Sequence, residues 1–269
     1  MANEITEAVA TRGDIVIRNG RVLAIGPDAR RRAHASVEIV DASGCAIIPG
    51  LIQTHVHVCQ TLMRGMGEDL PLLTWLQKRV WPLEAAHDER SLHASAELSL
   101  AELVLGGTTT ILDMGSTHGY DVILDACLRF GIRVFGGKVM MDRGRGVPGA
   151  LRESTKASLA QSDALCAHWD GANHGRIRYA YAPRFILSCS ERLIRETVER
   201  MQAGSFLHVH AAEHGEEKKA VRRAFGADDV DVLSRWGAKG PRCVLAHGVQ
   251  LTARQVRSVA AQGTRVVHC

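Results

Sequence analysis

The chain has 269 residues, of which 46% are hydrophobic, and its 33 basic and 29 acidic residues give a formal net charge of +4. This length allows one large domain with a small additional unit. The charge excess is too small to indicate nucleic acid or an anionic membrane as a partner, and no apolar run approaches the roughly 18 residues of a membrane span. Seven scattered cysteines without a Cys-x-x-Cys pair, and an N-terminus without a long apolar core, predict a cytoplasmic protein rather than a secreted one.

Residues 1–45 are predicted to form a separate small unit with short strands. Residues 14–17 and 21–25 are short alternating stretches, and Asn19-Gly20 between them is a strong hairpin signal. Residues 37–40 have the composition of a further strand, which ends at a turn containing Gly44.

From residue 46 to residue 269, strand-like and helix-like stretches alternate. The strand-like stretches are 46–57, 108–113, 132–141, 176–185, 206–212, 243–248 and 265–269. Between two of them, Leu92, Ala96 and Leu100 recur at helical spacing before a stop at Gly106. Alternation of this kind predicts a parallel sheet with right-handed crossovers. The fold class is therefore α/β, an incomplete (β/α)₈ TIM-like barrel with about seven of its eight strands.

Four histidines fall where predicted strands end. His55 and His57 point to the same side of the first strand, so two imidazoles on one face can bind one metal ion; a chance pair on a polar face is the alternative. His210 ends the fifth strand and His247 the sixth. Active sites of parallel barrels lie at the carboxyl ends of the strands, so this set predicts a metal site. His208, two residues before His210, is predicted as an inner-layer residue one step deeper, with ligation in place of His210 as the alternative.

The sequence resembles the amidohydrolase superfamily and, within it, the branch of purine and pyrimidine deaminases. The resemblance covers nearly the whole chain, in family order and at family-like spacing. It rests on Pro49-Gly50-Leu51-Ile52 before His55-Val56-His57, Glu68-Asp69-Leu70-Pro71-Leu72-Leu73-Thr74-Trp75-Leu76, Trp81-Pro82-Leu83-Glu84, Ala182-Pro183-Arg184-Phe185, His210-Ala211-Ala212-Glu213 and Ala246-His247-Gly248.

The resemblance implies that residues 1–45 are a partial β-sandwich domain. It also implies a metal-dependent aminohydrolase. His55, His57 and His210 would bind one Zn²⁺, with Fe²⁺ possible, and the metal would lower the pKa of a bound water. Glu213 would move a proton from that water to a ring nitrogen. The alternative is a structural role, in which its carboxylate lies at the start of a helix and faces the helix dipole. His247 would hydrogen-bond the water or the developing oxygen. Relatives with two metals have a lysine at the end of the fourth strand, and residues 178–184 contain none, so one metal is expected.

The resemblance also implies a small-molecule purine substrate. Glu84 matches a carboxylate that binds ribose hydroxyls in adenosine-type deaminases, whereas Gln60 and Arg184 match positions that contact the purine in guanine deaminases. Trp75 either stacks on a purine or packs in the core. A 5′-modified adenosine, such as 5′-deoxyadenosine or a thio-analogue, is the first expectation, guanine the second and an aminated s-triazine the third.

The family's eighth strand carries an aspartate that binds the metal, and no residue here fills that role. A fragment of a longer enzyme is therefore expected. Two alternatives stay open: an inactive remnant, and a half-enzyme that needs a complementing chain. The resemblance suggests homo-oligomers.

Overall fold

The N-terminal part of the computed structural model is a small unit that ends at Pro49. The structure describes residues 11–34, 36–67, 69–201 and 204–269. Strands β1 (Asp14–Arg18) and β2 (Arg21–Gly26) form an antiparallel sheet. Asn19 (φ 52°) and Gly20 (φ 70°) between them are both left-handed, as a two-residue type I′ turn requires. The predicted hairpin is confirmed.

The predicted strand over residues 37–40 is wrong. No strand forms there within the described part of the unit, and Val37, Ile39 and Val40 are exposed. An alternating pattern becomes a strand only when a neighbour accepts its ladder of hydrogen bonds, and the only regular structure between β2 and Pro49 is a 3₁₀ turn, Ala29–Arg32, in the described residues. The boundary of the unit at Pro49 lies four residues beyond residue 45, and the assignment of the two domains stays a prediction.

The larger unit, Gly50–Cys269, is built on parallel strands. They are β3 (Leu51–Val56), β4 (Thr108–Met114), β5 (Arg133–Gly137), β6 (Val139–Met140), β7 (Ile177–Pro183), β8 (Phe206–Ala211), β9 (Cys243–His247) and β10 (Arg265–Val267). Their order is β3-β4-β5-β7-β8-β9-β10, and β6 pairs with β7 as a continuation of β5. Seven strand positions therefore form a nearly closed barrel, which confirms the predicted fold class.

Helices follow the strands along the chain. They are α1 (Leu72–Trp75), α2 (Trp81–Ala85), α3 (Glu89–Leu105), α4 (Tyr120–Phe130), α5 (Thr155–Trp169), α6 (Ala172–Gly175), α7 (Glu191–Arg200), α8 (Gly215–Phe225), α9 (Asp229–Arg235) and α10 (Ala253–Gln262). A π-helical turn, Leu76–Val80, joins α1 to α2, and 3₁₀ turns cover Val58–Met63 and Gly149–Leu151. Glu68, in a segment that carries the family resemblance, lies outside the described residues. Among those helices, none combines the length and apolarity needed to cross a membrane.

The helical periodicity read from the sequence is confirmed in α3. Leu92, Ala96 and Leu100 are fully buried, and the helix ends one residue before Gly106. An Asp88 cap at its N-terminus accepts a hydrogen bond from the Ser91 backbone N–H. This helix packs against the 3₁₀ turn Val58–Met63, which directly follows His55 and His57 in the chain.

The strands differ in burial across the barrel. Tyr179, Val209 and Leu245, on three neighbouring strands, are fully or almost fully buried, as expected for parallel strands covered on both faces. In contrast, Leu51 and Ile52 of β3 are exposed. The two ends of the strand order, β3 and β10, each have one strand partner within the described residues.

Candidate active site

Four histidine rings converge at the carboxyl ends of the barrel strands. The ring centroid of His55 lies 4.9 Å from those of His57 and His210 and 5.1 Å from that of His247. These residues are up to 192 positions apart in the chain (247 minus 55). They meet because parallel strands bring their carboxyl ends to one edge.

Three of these side chains form a group with the spacing of a metal site. One ligand nitrogen each of His55, His57 and His210 lies within 4.8 Å of the others. His57 and His210 stack with ring centroids 5.2 Å apart, and their Nε2 atoms are separated by 3.1 Å. The structure thus brings together the three histidines that the sequence singled out as ligands.

Backbone carbonyls fix which nitrogens of two of these rings carry hydrogen. Nδ1 of His57 is 2.8 Å from the Met114 carbonyl oxygen, and Nδ1 of His210 is 2.8 Å from that of Arg184. A carbonyl oxygen only accepts, so we assign the proton to Nδ1 in both rings. In neutral imidazoles, Nε2 then carries a lone pair. Two lone pairs therefore face each other across 3.1 Å.

Burial keeps the imidazoles of this group neutral. It lowers the pKa of His57 to about 3, with a further contribution from the Arg184 guanidinium, and that of His55 to about 2, with a further contribution from His57. Burial likewise places the pKa of His210 well below its usual value. Neutral imidazole is the form that binds a metal, and a divalent cation would convert the facing lone pairs from repulsive neighbours into ligands. The donor set fits such a cation.

His208 lies against His55 rather than in the group of three. Its Nε2 is 3.0 Å from Nδ1 of His55, the side chain is fully buried, and its own Nδ1 has no hydrogen-bond partner in the described structure. This is the outer-shell position from which a polar partner orients a ligand ring.

Glu213 and His247 face each other beside the histidine group. Glu213 Oε2 is 3.6 Å from His247 Nε2, and both side chains are largely but not fully buried. Burial raises the pKa of Glu213 to about 7, although Arg184 opposes the shift. The start of α8 is capped by His214, whose Nδ1 accepts from the Glu216 N–H. A carboxyl group that titrates near neutral pH is suited to take up and release a proton.

Gln60, Glu84 and Arg184 form a hydrogen-bonded network in which Glu84 and Arg184 are buried and Gln60 is half-buried. Arg184 donates to both Glu84 oxygens, over 2.5 Å and 3.1 Å, and Gln60 Nε2 donates to Glu84 Oε1 over 2.7 Å. Arg184 follows β7 directly, so its carbonyl holds His210 while its guanidinium holds Glu84. This arrangement links the predicted substrate-contacting residues to a predicted ligand.

Trp75 is the last residue of α1 and packs against its neighbours in the helical segment 72–85. It is half-buried against an apolar cluster that includes Leu72, Leu76 and Val80. The structure therefore gives Trp75 the packing contacts that were the alternative to stacking on a purine.

Asp113 was not identified from the sequence. It is fully buried near the end of β4, where Oδ1 accepts from the Val58 N–H (2.9 Å) and Oδ2 from the Tyr120 hydroxyl (3.0 Å). Burial raises its pKa to about 6, against the lowering effect of these hydrogen bonds. The Val58 bond ties the residue after His57 to the neighbouring strand. The sequence feature that could have indicated this residue is a carboxylate at the apolar end of the strand Thr108–Met114.

Comparison with known proteins agrees with the geometry. The amidohydrolase family matches residues 46–269, which are most of the chain, and the chain belongs to that family. The chain is 32% identical to "5-methylthioadenosine/S-adenosylhomocysteine deaminase 2" of Archaeoglobus fulgidus, over 95% of this chain and 63% of that protein.

Two solved structures extend the comparison. A guanine deaminase of E. coli superposes with a TM-score of 0.85 at 27% identity, over 95% of this chain and 60% of that one. An adenosine deaminase from Xanthomonas campestris with bound zinc gives a TM-score of 0.80 at 26% identity, over 95% of this chain and 57% of that one. The chain thus spans about three fifths of the length of these proteins.

Proposed function

We propose that the protein is a metal-dependent aminohydrolase that deaminates a purine nucleoside of the 5′-modified adenosine type. The observation that carries the metal-dependent part of this proposal is the 3.1 Å separation of the Nε2 atoms of His57 and His210, to which we assign no proton, with His55 beside them. Two neutral imidazole nitrogens that both carry lone pairs repel each other, whereas a divalent cation would be bound by both.

Zinc is the metal that this donor set favours. Imidazole nitrogen suits Zn²⁺, and Fe²⁺ is the next candidate. The structure of the Xanthomonas campestris adenosine deaminase contains zinc. Bound by His55, His57 and His210, the metal would lower the pKa of a water molecule and supply a nucleophile at neutral pH.

Glu213 is proposed to transfer the proton in this reaction. Its carboxylate takes the proton of the attacking water and delivers it to a ring nitrogen of the substrate, for which a pKa of about 7 is well placed. His247 lies 3.6 Å from Glu213 and donates a hydrogen bond to the oxygen that develops at the attacked carbon. The hydroxyl now on the attacked carbon gives up its remaining proton, which Glu213 passes to the amino group. The C–N bond then breaks, ammonia leaves, and the ring carbon keeps the oxygen as a carbonyl.

The network around Glu84 is proposed to bind the substrate. Gln60 and Arg184 hold the Glu84 carboxylate in one orientation, so that it can accept hydrogen bonds from ribose hydroxyls. The name of the Archaeoglobus fulgidus relative supports a 5′-modified adenosine. The structural likeness to the E. coli guanine deaminase supports guanine as the second candidate.

To test the proposal, the zinc-loaded protein is offered a set of amino-substituted rings, and the release of ammonia is measured. The set contains 5′-deoxyadenosine, 5′-methylthioadenosine, guanine and an aminated s-triazine. We expect ammonia from the two adenosines, and none after the metal has been removed by a chelator. Release from guanine alone would select the second candidate, and release from none of the four would refute the proposal.

A further inference from the structure

The turn that carries Glu213 has a strained backbone. It connects β8 to α8, and Ala212 in it has a φ of 54°. This left-handed conformation is uncommon for a residue with a Cβ, and it persists only where the surroundings hold it. Since Ala212 directly precedes Glu213, the groups that hold Ala212 also set the direction of the Glu213 side chain.

Two buried carboxylates contact this turn from two helices. Asp229 Oδ2, at the start of α9, accepts from the Ala212 N–H over 2.5 Å, and Glu217 Oε2, in the first turn of α8, accepts from the Glu213 N–H over 3.2 Å. Asp229 is 1% exposed and Glu217 is fully buried. Consecutive backbone N–H groups are thus each held by a different acidic side chain.

Neither carboxylate is explained by an ion pair among the described residues. Lys218, the residue after Glu217, donates to the Gln250 carbonyl and pairs with Asp228. Oε1 of Glu217 is buried without a hydrogen-bond partner in the described structure. Burying a polar oxygen without a partner is costly, so an apolar residue would serve packing better than Glu217. What Glu217 provides instead is an acceptor for the backbone N–H of Glu213, which helps to hold the conformation of the turn.

We propose that Glu217 and Asp229 are positioning residues, which hold the Ala212–Glu213 backbone so that the Glu213 carboxylate faces the histidine group. This inference rests on the proposed role of Glu213 in proton transfer. Their hydrogen bonds to the turn go to the Ala212 and Glu213 N–H groups, not to the three histidines, so their effect on the site passes through the turn.

The test compares Glu217→Leu and Asp229→Ala with the conservative variant Glu217→Gln. A Gln oxygen can accept from the Glu213 N–H, and its amide group takes the place of the unpartnered Oε1. Glu216→Leu, an exposed change in the same turn, is the matched control. We measure zinc content in each protein, together with kcat and KM for 5′-deoxyadenosine. Amide hydrogen exchange is measured in residues 206–217.

We expect Glu217→Leu and Asp229→Ala to keep zinc and KM while kcat per bound zinc falls about 100-fold, as misplacement of a reacting group by about 1 Å does. Hydrogen exchange should accelerate at residues 212 and 213. Glu217→Gln and the control should stay near wild type in both respects. Unchanged exchange at residues 212 and 213 in the Leu and Ala variants would overturn the proposal, as would a Gln variant as impaired as the Leu variant.

The exchange measurement separates this inference from the proposed function. If the wild-type protein deaminates none of the offered rings, the proposed function is wrong, yet the exchange rates still report whether the two carboxylates hold the turn. If Glu217→Leu does not fold, Asp229→Ala and Glu217→Gln still decide between the outcomes.

Discussion

His57 and His210 present unprotonated Nε2 atoms to each other across 3.1 Å, because each ring donates its Nδ1 hydrogen to a backbone carbonyl. The two carbonyls belong to Met114 and Arg184, on two further strand ends. The barrel backbone therefore sets the ring orientations before any cation binds. Pre-orientation of this kind is what outer-shell hydrogen bonds give to a metal site.

Zinc should stabilise the protein through these rings. At a free zinc concentration of about 100 times Kd, the free energy of unfolding should rise by about 2.7 kcal/mol. His57→Ala and His210→Ala should lose this increase, because each removes one nitrogen of the facing pair. Urea unfolding with and without zinc measures the effect, and His34→Ala, a change at an exposed histidine, is the control. A zinc-dependent increase that survives in both variants would contradict the assigned ligands.

Asp113 should be a stabilising residue of the site. Asp113→Ala leaves the Val58 N–H and the Tyr120 hydroxyl buried without their acceptor, at a cost of about 1–3 kcal/mol for each group. Tyr120→Phe removes one hydroxyl and should cost about 1 kcal/mol. Denaturant unfolding of the metal-free protein measures both, and equal losses would show that the Val58 contact contributes nothing.

Sequence reasoning succeeded where the signal was local. Asn19-Gly20 predicted its hairpin because the turn itself requires two left-handed residues. The stretch 46–57 was predicted as a strand, and its part Leu51–Val56 forms β3. Sequence reasoning failed at residues 37–40, where a local pattern needed a distant partner. Asp113 and Glu217 were missed for the same reason: their hydrogen bonds join residues whose proximity only the folded barrel creates.

Glu84 and Arg184 should be energetically coupled. Both are almost fully buried, so Glu84→Leu leaves a guanidinium without its counter-charge and should lower the free energy of unfolding by about 3–5 kcal/mol. The double variant, Glu84→Leu with Arg184→Met, should regain most of that loss but should still bind the substrate poorly. A double-mutant cycle of unfolding free energies measures the coupling, and additive losses would argue against it.

Stability should depend on pH through Glu217. Burial, and then the charges of Asp229 and Glu213, raise the pKa of Glu217 to about 8. Its folded-state pKa thus lies above the usual value of 4.5, so the folded state holds a proton that the unfolded state has released between these values, and stability falls as pH rises through that window. Glu217→Gln should flatten this decline in the metal-free protein. Urea unfolding at pH 5 and pH 8 checks the difference between the two proteins, and identical slopes would exclude the effect.

The most direct test of the account is a paired measurement of zinc content and ammonia release on wild type and Glu213→Gln. An amide cannot shuttle the proton, but it leaves the three histidines in place. We expect about one zinc per chain in both proteins, ammonia from 5′-deoxyadenosine with wild type, and release slower by about 10²–10⁴-fold with the variant. A Glu213→Gln protein that releases ammonia at the wild-type rate would contradict the role of Glu213 and the mechanism built on it.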